Sequence, residues 1–231
     1  KYNITIQLQR LTKDNKVYRE TAIKGIVPVL KDLGIYKQTK LFKTLPTDVH
    51  SYTKEDICEL LGGLFDTDGY VNLRYNKKRG TPIVEISISS ASESLLNEIR
   101  LLLQKLGIHG RIRERLPRKN NPIDKNSWFE FTIADTVSAL RFSENIKLFP
   151  KVKQERLDKI KEVFSTIKPH LDYGGVRYET IVEIEYLGLK DIYNLTAGTT
   201  HTYIVNGIIT HNTDDADYEG LKQLFYEPAG Y

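Results

Sequence analysis

Residues 60–69 read LLGGLFDTDG, and Asp66 and Asp68 stand where the apolar periodicity of 54–66 stops. A helix C-terminus carries the negative end of the backbone dipole, so two acids there are unfavourable unless a cation is near. Hard divalent cations take oxygen ligands of this type. The plain alternative is a helix that ends in a D-T-D-G turn. Gly62 and Gly63 add a second constraint. Each costs a helix about 1 kcal/mol relative to Ala, so something must approach that backbone closely. A second helix packing at both glycines would do so. Farther along, residues 201–213 read HTYIVNGIITHNT. Asn206-Gly207 between apolar runs is a type I′ hairpin signal. His201 and His211 flank it, each either a structural residue or a general acid–base group.

The elements that must position these residues follow from periodicity. Residues 2–10 and 17–23 alternate as strands around the turn residues Thr12-Lys13-Asp14-Asn15. A helix follows near 24–34, with Pro28 near its start and Gly34 past its end. Ser51-x-x-Lys54-Glu55 opens the helix across 54–66, with Cys58 in its first turns as a core thiol. Strands at 68–75 and 82–90 pair around 76–80. Residues 92–106 form the clearest amphipathic helix, capped by Ser92 and Gly107. Strands at 110–116 and 127–134, then helices at 135–144 and 151–167, complete this part. Both 29–46 and 139–152 contain K-L-F with Pro close behind, after a strand pair. This echo suggests two halves, the first lacking its opening helix and strand pair.

From Lys168 the texture changes. Pro169, Gly174 and Gly175 make a linker, and beyond it lie short strands only: ETIVEIEYLG, DIYNLTA and THTYIVNGIIT. Lys+Arg number 34 and Asp+Glu 30, for a net charge of +4, but residues from Thr213 onward carry −4, so 1–212 carry +8. A basic body suits a polyanionic partner. One Cys excludes a disulfide framework and a Cys-rich zinc site. No apolar run approaches the ~20 residues that cross a bilayer, and no signal peptide opens the chain. The expectation is a soluble, cytoplasmic protein with no membrane partner. The absence of Met in a chain that begins at Lys1 suggests a missing N-terminal piece.

The 61–69 string resembles the LAGLIDADG motif of homing endonucleases. In that family two such helices pack at their small residues, and the last acid of each reaches the divalent metals that cleave DNA. The resemblance assigns that role to Asp68, with Mg²⁺ as cofactor. Lys43-Thr44-Leu45-Pro46 resembles the family's K-x-[IL]-P segment, which puts Lys43 near the metals. It implies an α+β fold of αββαββα repeats whose saddle-shaped sheet lies in the major groove of double-stranded DNA. Arg74, Lys77, Lys78, Arg79, Arg111, Arg113, Arg115 and Arg118 are then candidates for phosphate or base contact. Only one such motif is present, and a paired site needs two.

The C-terminal text resembles the splicing blocks of inteins: Ile192-Tyr193-Asn194-Leu195-Thr196, His201-Thr202-Tyr203, Asn206-Gly207, then His211-Asn212-Thr213. The resemblance implies the C-terminal strands of an all-β Hint splicing domain, a process that needs no cofactor. Asn212 cyclises on its own carbonyl and breaks the 212–213 bond, with nucleophile and electrophile in one residue. His211 supports that bond, His201 assists the branched steps, and Thr213 takes over the acyl group. The family often has Asp where Asn194 stands, and Asn cannot accept a proton as a base. The first nucleophile and a T-x-x-H segment do not precede the endonuclease region. The expected organisation is therefore 1–167 endonuclease domain with its first repeat truncated, 168–212 splicing strands, and 213–231 C-extein. The partners expected are an N-terminal intein fragment, DNA, and a host protein whose start resembles phage large-terminase ATPases. The alternative is a stand-alone LAGLIDADG endonuclease or DNA-binding protein.

Overall fold

The computed structural model describes residues 4–13, 16–117, 127–166, 180–186, 188, 202–205 and 207–211. The chain divides into two compact units, Lys1–Arg177 and Tyr178–Tyr231.

The first unit opens with an antiparallel ribbon, β1 (Thr5–Lys13) and β2 (Lys16–Lys24). Lys13 pairs with Lys16, so Thr12 and Lys13 belong to the strand rather than to the expected turn. A ladder continues as far as its register lets backbone groups pair. Helix α1 (Ile26–Asp32) is shorter than the expected 24–34, because Gly25 lies at φ 80° and Gly34 at φ 71°. Both are left-handed backbone, which a helix interior does not admit. A short 3₁₀ turn, Val49–Ser51, precedes α2 (Lys54–Thr67). The cap of α2 is Thr53, not Ser51: its hydroxyl oxygen accepts from the Asp56 amide at 3.2 Å. Ser51 instead donates to the Asp48 carbonyl.

Then follow β3 (Gly69–Tyr75), β4 (Pro82–Ser90), α3 (Glu93–Lys105), β5 (Arg111–Arg115), β6 (Trp128–Ile133), α4 (Thr136–Asn145) and α5 (Lys151–Ser165). From α2 to α4 the order is αββαββα. The four strands form one antiparallel sheet in the order β3-β4-β6-β5. Strand side chains alternate between faces. One face sends Val71, Val84, Ile86, Ile88, Phe131 and Ile133 into the core. The helices cover that face with Leu61, Phe65, Leu96, Ile99, Leu103, Phe142, Leu157 and Ile160. Phe65 and Phe142 meet edge to face, ring centroids 4.8 Å apart. Each such buried side chain contributes about 1.5–3 kcal/mol.

The two K-L-F segments differ in burial. Leu148 is in the core, whereas Leu41 is exposed, as are Phe42 and Phe149.

In the second unit β7 (Thr202–Val205) pairs with β8 (Ile208–His211), from Thr202 opposite His211 to Val205 opposite Ile208. Gly207 at φ 82° makes the turn that Asn-Gly announced. The strand expected in ETIVEIEYLG is corrected: its described residues, 180–186, are in no strand. A strand is stable only where a neighbour takes its backbone hydrogen bonds, and none of the described strands pairs with it. Ile181, Val182, Ile184 and Tyr186 are accordingly exposed. DIYNLTA lies outside the described residues. Among the described residues no helix is long and apolar enough to cross a membrane.

Candidate functional site

The acids at the end of α2 have different surroundings. Asp66 Oδ1 accepts from the Phe149 amide at 2.9 Å, so this carboxylate ties α2 to the segment after α4. Asp68 is the C-cap, its amide donating to the Leu64 carbonyl and its side chain exposed. The cation that the helix dipole called for is the Lys153 ammonium of α5. It donates to the Phe65 and Asp66 carbonyls, at 2.8 Å each. One turn along α5, Arg156 donates to the Val71 carbonyl at 2.9 Å. These three bonds bracket Asp68, before and after it in the chain, and sequence reasoning did not find them. Their signal was two cations at i, i+3 on α5. Gly69 is required by a close pass: a Cβ there would lie 2.4 Å from the Phe65 carbonyl oxygen.

Lys43 reaches the same end of the sheet. Its carbonyl accepts from the Ser92 hydroxyl at 2.7 Å, and Leu45 N donates to Glu98 Oε2 at 2.5 Å. Ser92 follows β4 directly, and Gly69, next to Asp68, pairs with Ile88 near the end of β4. Leu45 and Pro46 are the buried anchor of this segment, and Lys43 is exposed. Among the described residues no group of three or more His, Cys, Asp or Glu side chains is placed to hold a metal ion. The exposed Asp68 carboxylate is one hard oxygen donor at this helix end.

The expected helix packing is corrected at Gly62. Gly62 is covered by backbone, not by a helix: a Cβ there would lie 2.8 Å from the Lys147 carbonyl oxygen. Gly63 is exposed and has nothing within 4 Å. The two should therefore respond oppositely to alanine in this chain. Gly62→Ala is expected to destabilise by up to about 2 kcal/mol net, the overpacking strain exceeding the gain in helix propensity. Gly63→Ala is expected to be neutral or to stabilise by up to about 1 kcal/mol. Denaturant unfolding of both variants is the check, and equal midpoints would contradict the assignment.

Cys58 is half-buried rather than in the core. It lines a shallow cavity with Lys54, Glu59, Glu144 and Lys147, and burial raises its thiol pKa. A protonated thiol is a poor nucleophile.

The polar face of the sheet is set by register. Tyr70, Ser87, Thr132 and Arg111 form one row across all four strands. Ser89, Glu130 and Arg113 form the next. Alternation puts Asn72, Arg74, Trp128 and Arg115 on this same side. Arg74, Arg111, Arg113 and Arg115 are exposed. Arg115 and Glu130 are ion-paired. Lys77, Lys78 and Arg79 sit in the β3–β4 turn, where Asn76 Oδ1 accepts from the Lys78 and Arg79 amides. That turn is at the end of β3 remote from Asp68. Arg118 lies outside the described residues.

So do Asn194, His201, Asn212 and Thr213. The backbone of His211 ends β8, opposite Thr202.

Residues 55–147 match the model of a family described as a LAGLIDADG-like domain. The chain is 28% identical over 182 residues to a DNA polymerase of Thermococcus litoralis, covering 78% of this chain and 10% of that protein. It is 25% identical over 222 residues to the ribonucleoside-diphosphate reductase NrdEB subunit alpha of Bacillus subtilis (strain 168), covering 91% of this chain and 19% of that protein. The chain thus spans a tenth to a fifth of the length of these relatives. Among solved structures, the homing endonuclease I-CvuI, crystallised with a DNA target in the presence of Mg, aligns with a TM-score of 0.33 and 16% identity, over 48% of this chain and 68% of that one.

Proposed function

We propose that this chain, whose residues 55–147 match the model of a LAGLIDADG-like domain, is the C-terminal part of an intein precursor with an embedded DNA-binding endonuclease domain. The observation that carries the reading is the company the segment keeps. A polymerase and a reductase share no chemistry, yet each aligns with this chain over a small fraction of its own length. What recurs is a transferable insert, and the His211-Asn212-Thr213 ending supplies the residues with which an insert removes itself.

In this reading 168–212 are the last strands of a splicing domain and 213–231 the start of the host protein. An N-terminal piece supplies the first nucleophile and the strands that pair with this unit. The exposed apolar side chains at 181–186 and on β7–β8 are in keeping with such a partner. Asn212 cyclises, His211 and His201 move protons, Asn194 orients, and the Thr213 hydroxyl receives the upstream acyl group. The exposed backbone at Gly63 is in keeping with a second motif helix docking there. Asp68 and that helix's acid would together hold Mg²⁺, which when bound stabilises the attacking and leaving oxygens of a phosphodiester.

Mixing the chain with an N-terminal intein piece and weighing the products tests the reading. Ligated host segments are the expected result, and an unchanged mass after complementation counts against it. His211→Ala is expected to slow cleavage at Asn212 by roughly 10²-fold, the lower range for one general acid or base. His201→Ala should impair ligation more than cyclisation. Full activity of both variants in both assays would make these histidines structural.

A further inference from the structure

On the polar face of the sheet one carboxylate stands opposite one arginine and binds the guanidinium of another. Glu130 lies directly opposite Arg113 on the neighbouring strand. Arg115, two residues on and so on the same face, turns back to it: Arg115 Nε donates to Glu130 Oε2 at 2.7 Å, and Nη2 donates to the same oxygen. The Glu130 side chain is 18% exposed and that of Arg115 44%. A surface ion pair of this kind contributes little to stability. Its consequence is orientation. An unpaired arginine samples many rotamers, and ordering them on binding weakens affinity. Here the carboxylate grips the Nε side of the fork and fixes the guanidinium plane. The terminal edge of that fork carries the two parallel N–H groups that match guanine O6 and N7 in the major groove.

We propose that Arg115 is a specificity-determining residue that reads a guanine, with Glu130 as the positioning residue that presents it. The inference rests on the reading of this face as a duplex-binding surface. It separates Arg115 from Lys77, Lys78 and Arg79, which sit on a turn and suit sequence-independent phosphate contact.

The test uses the full chain. A duplex bound by it is selected from a randomised pool, and affinity is measured for that duplex and its single-base-pair variants at several salt concentrations. The wild type is expected to prefer guanine at one position by roughly 5- to 100-fold. Arg115→Lys keeps the charge and loses the fork. It should lose most of that preference, at that position only, with the salt dependence unchanged. Glu130→Gln removes a negative charge from the face, so affinity for all duplexes should rise while the preference for guanine falls. Lys77→Ala should weaken binding to all variants alike. Retention of the preference in Arg115→Lys, or in Glu130→Gln, overturns the proposal. Duplex binding with no single-position preference for guanine overturns it and leaves the duplex-binding reading standing. Absence of salt-dependent duplex binding overturns both.

Discussion

With Asn212 replaced by alanine, the complemented chain is expected to release no fragment beginning at Thr213. The effect is total on the timescale of the assay, because the nucleophile itself is removed. A side-chain amide held next to its own carbonyl works at an effective concentration of about 10⁵–10⁸ M relative to a bimolecular attack. The five-membered imide cannot form from alanine. Thr213→Ala is a contrasting control: cyclisation proceeds and the fragment is released, but the host segments are not ligated. Mass spectrometry distinguishes the two outcomes. Continued cleavage between 212 and 213 in the Asn212→Ala chain would sink the cyclisation mechanism. The proposed reading puts Asn194 at an earlier step, so Asn194→Asp is expected to speed acyl transfer and leave this cleavage unchanged.

Asp68→Asn is expected to abolish Mg²⁺-dependent cutting while leaving DNA binding intact. The substitution exchanges a charged oxygen donor for a neutral amide at an exposed helix cap and removes no core contact. Hard cations lose most of their attraction to such a site. In the proposed reading, binding depends instead on the cations of the polar face and the β3–β4 turn, which the substitution does not touch. Neutralising about six phosphates gives a log–log slope of affinity against salt near −5. That slope should be the same for both chains. With Asp68 as half of a site in the proposed reading, the isolated chain should bind the uninterrupted host-gene duplex without cutting both strands. Cutting should appear when a partner supplies a second motif at the face that carries Gly63. Gel shifts and nicking assays, with and without the N-terminal piece, read both quantities. Efficient cleavage by the isolated chain would show that it pairs with itself.

The sequence by itself determined the elements and their order. A helix with its apolar face repeating at 3.6 residues, such as 92–106, and strands alternating at two, such as 82–90, bury one side whatever their neighbours are. Their boundaries moved by only a few residues, wherever a glycine at positive φ or a threonine cap set the end. The same local logic legislated the Asn206-Gly207 hairpin, because a two-residue turn needs φ > 0 and few residues tolerate it.

What tertiary structure alone decided was every feature that depends on a partner far along the chain. Gly62 and Gly63 are identical in text. One is filled by the Lys147 carbonyl and the other stands open. Asp66 and Asp68 are two residues apart, and one is consumed by Phe149 while the other is exposed. Lys153 and Arg156, far along the chain, hold the backbone on either side of Asp68. Ile181, Val182 and Ile184 read as a strand, but no strand forms without a second ladder of backbone donors and acceptors to pair with it. The physical reason is the same in each case. Hydrophobic periodicity and turn chemistry act within a few residues, so one sequence window contains them. Hydrogen bonds between elements, close backbone approach and strand pairing depend on register in space, and that is fixed only when the whole sheet and its helices pack.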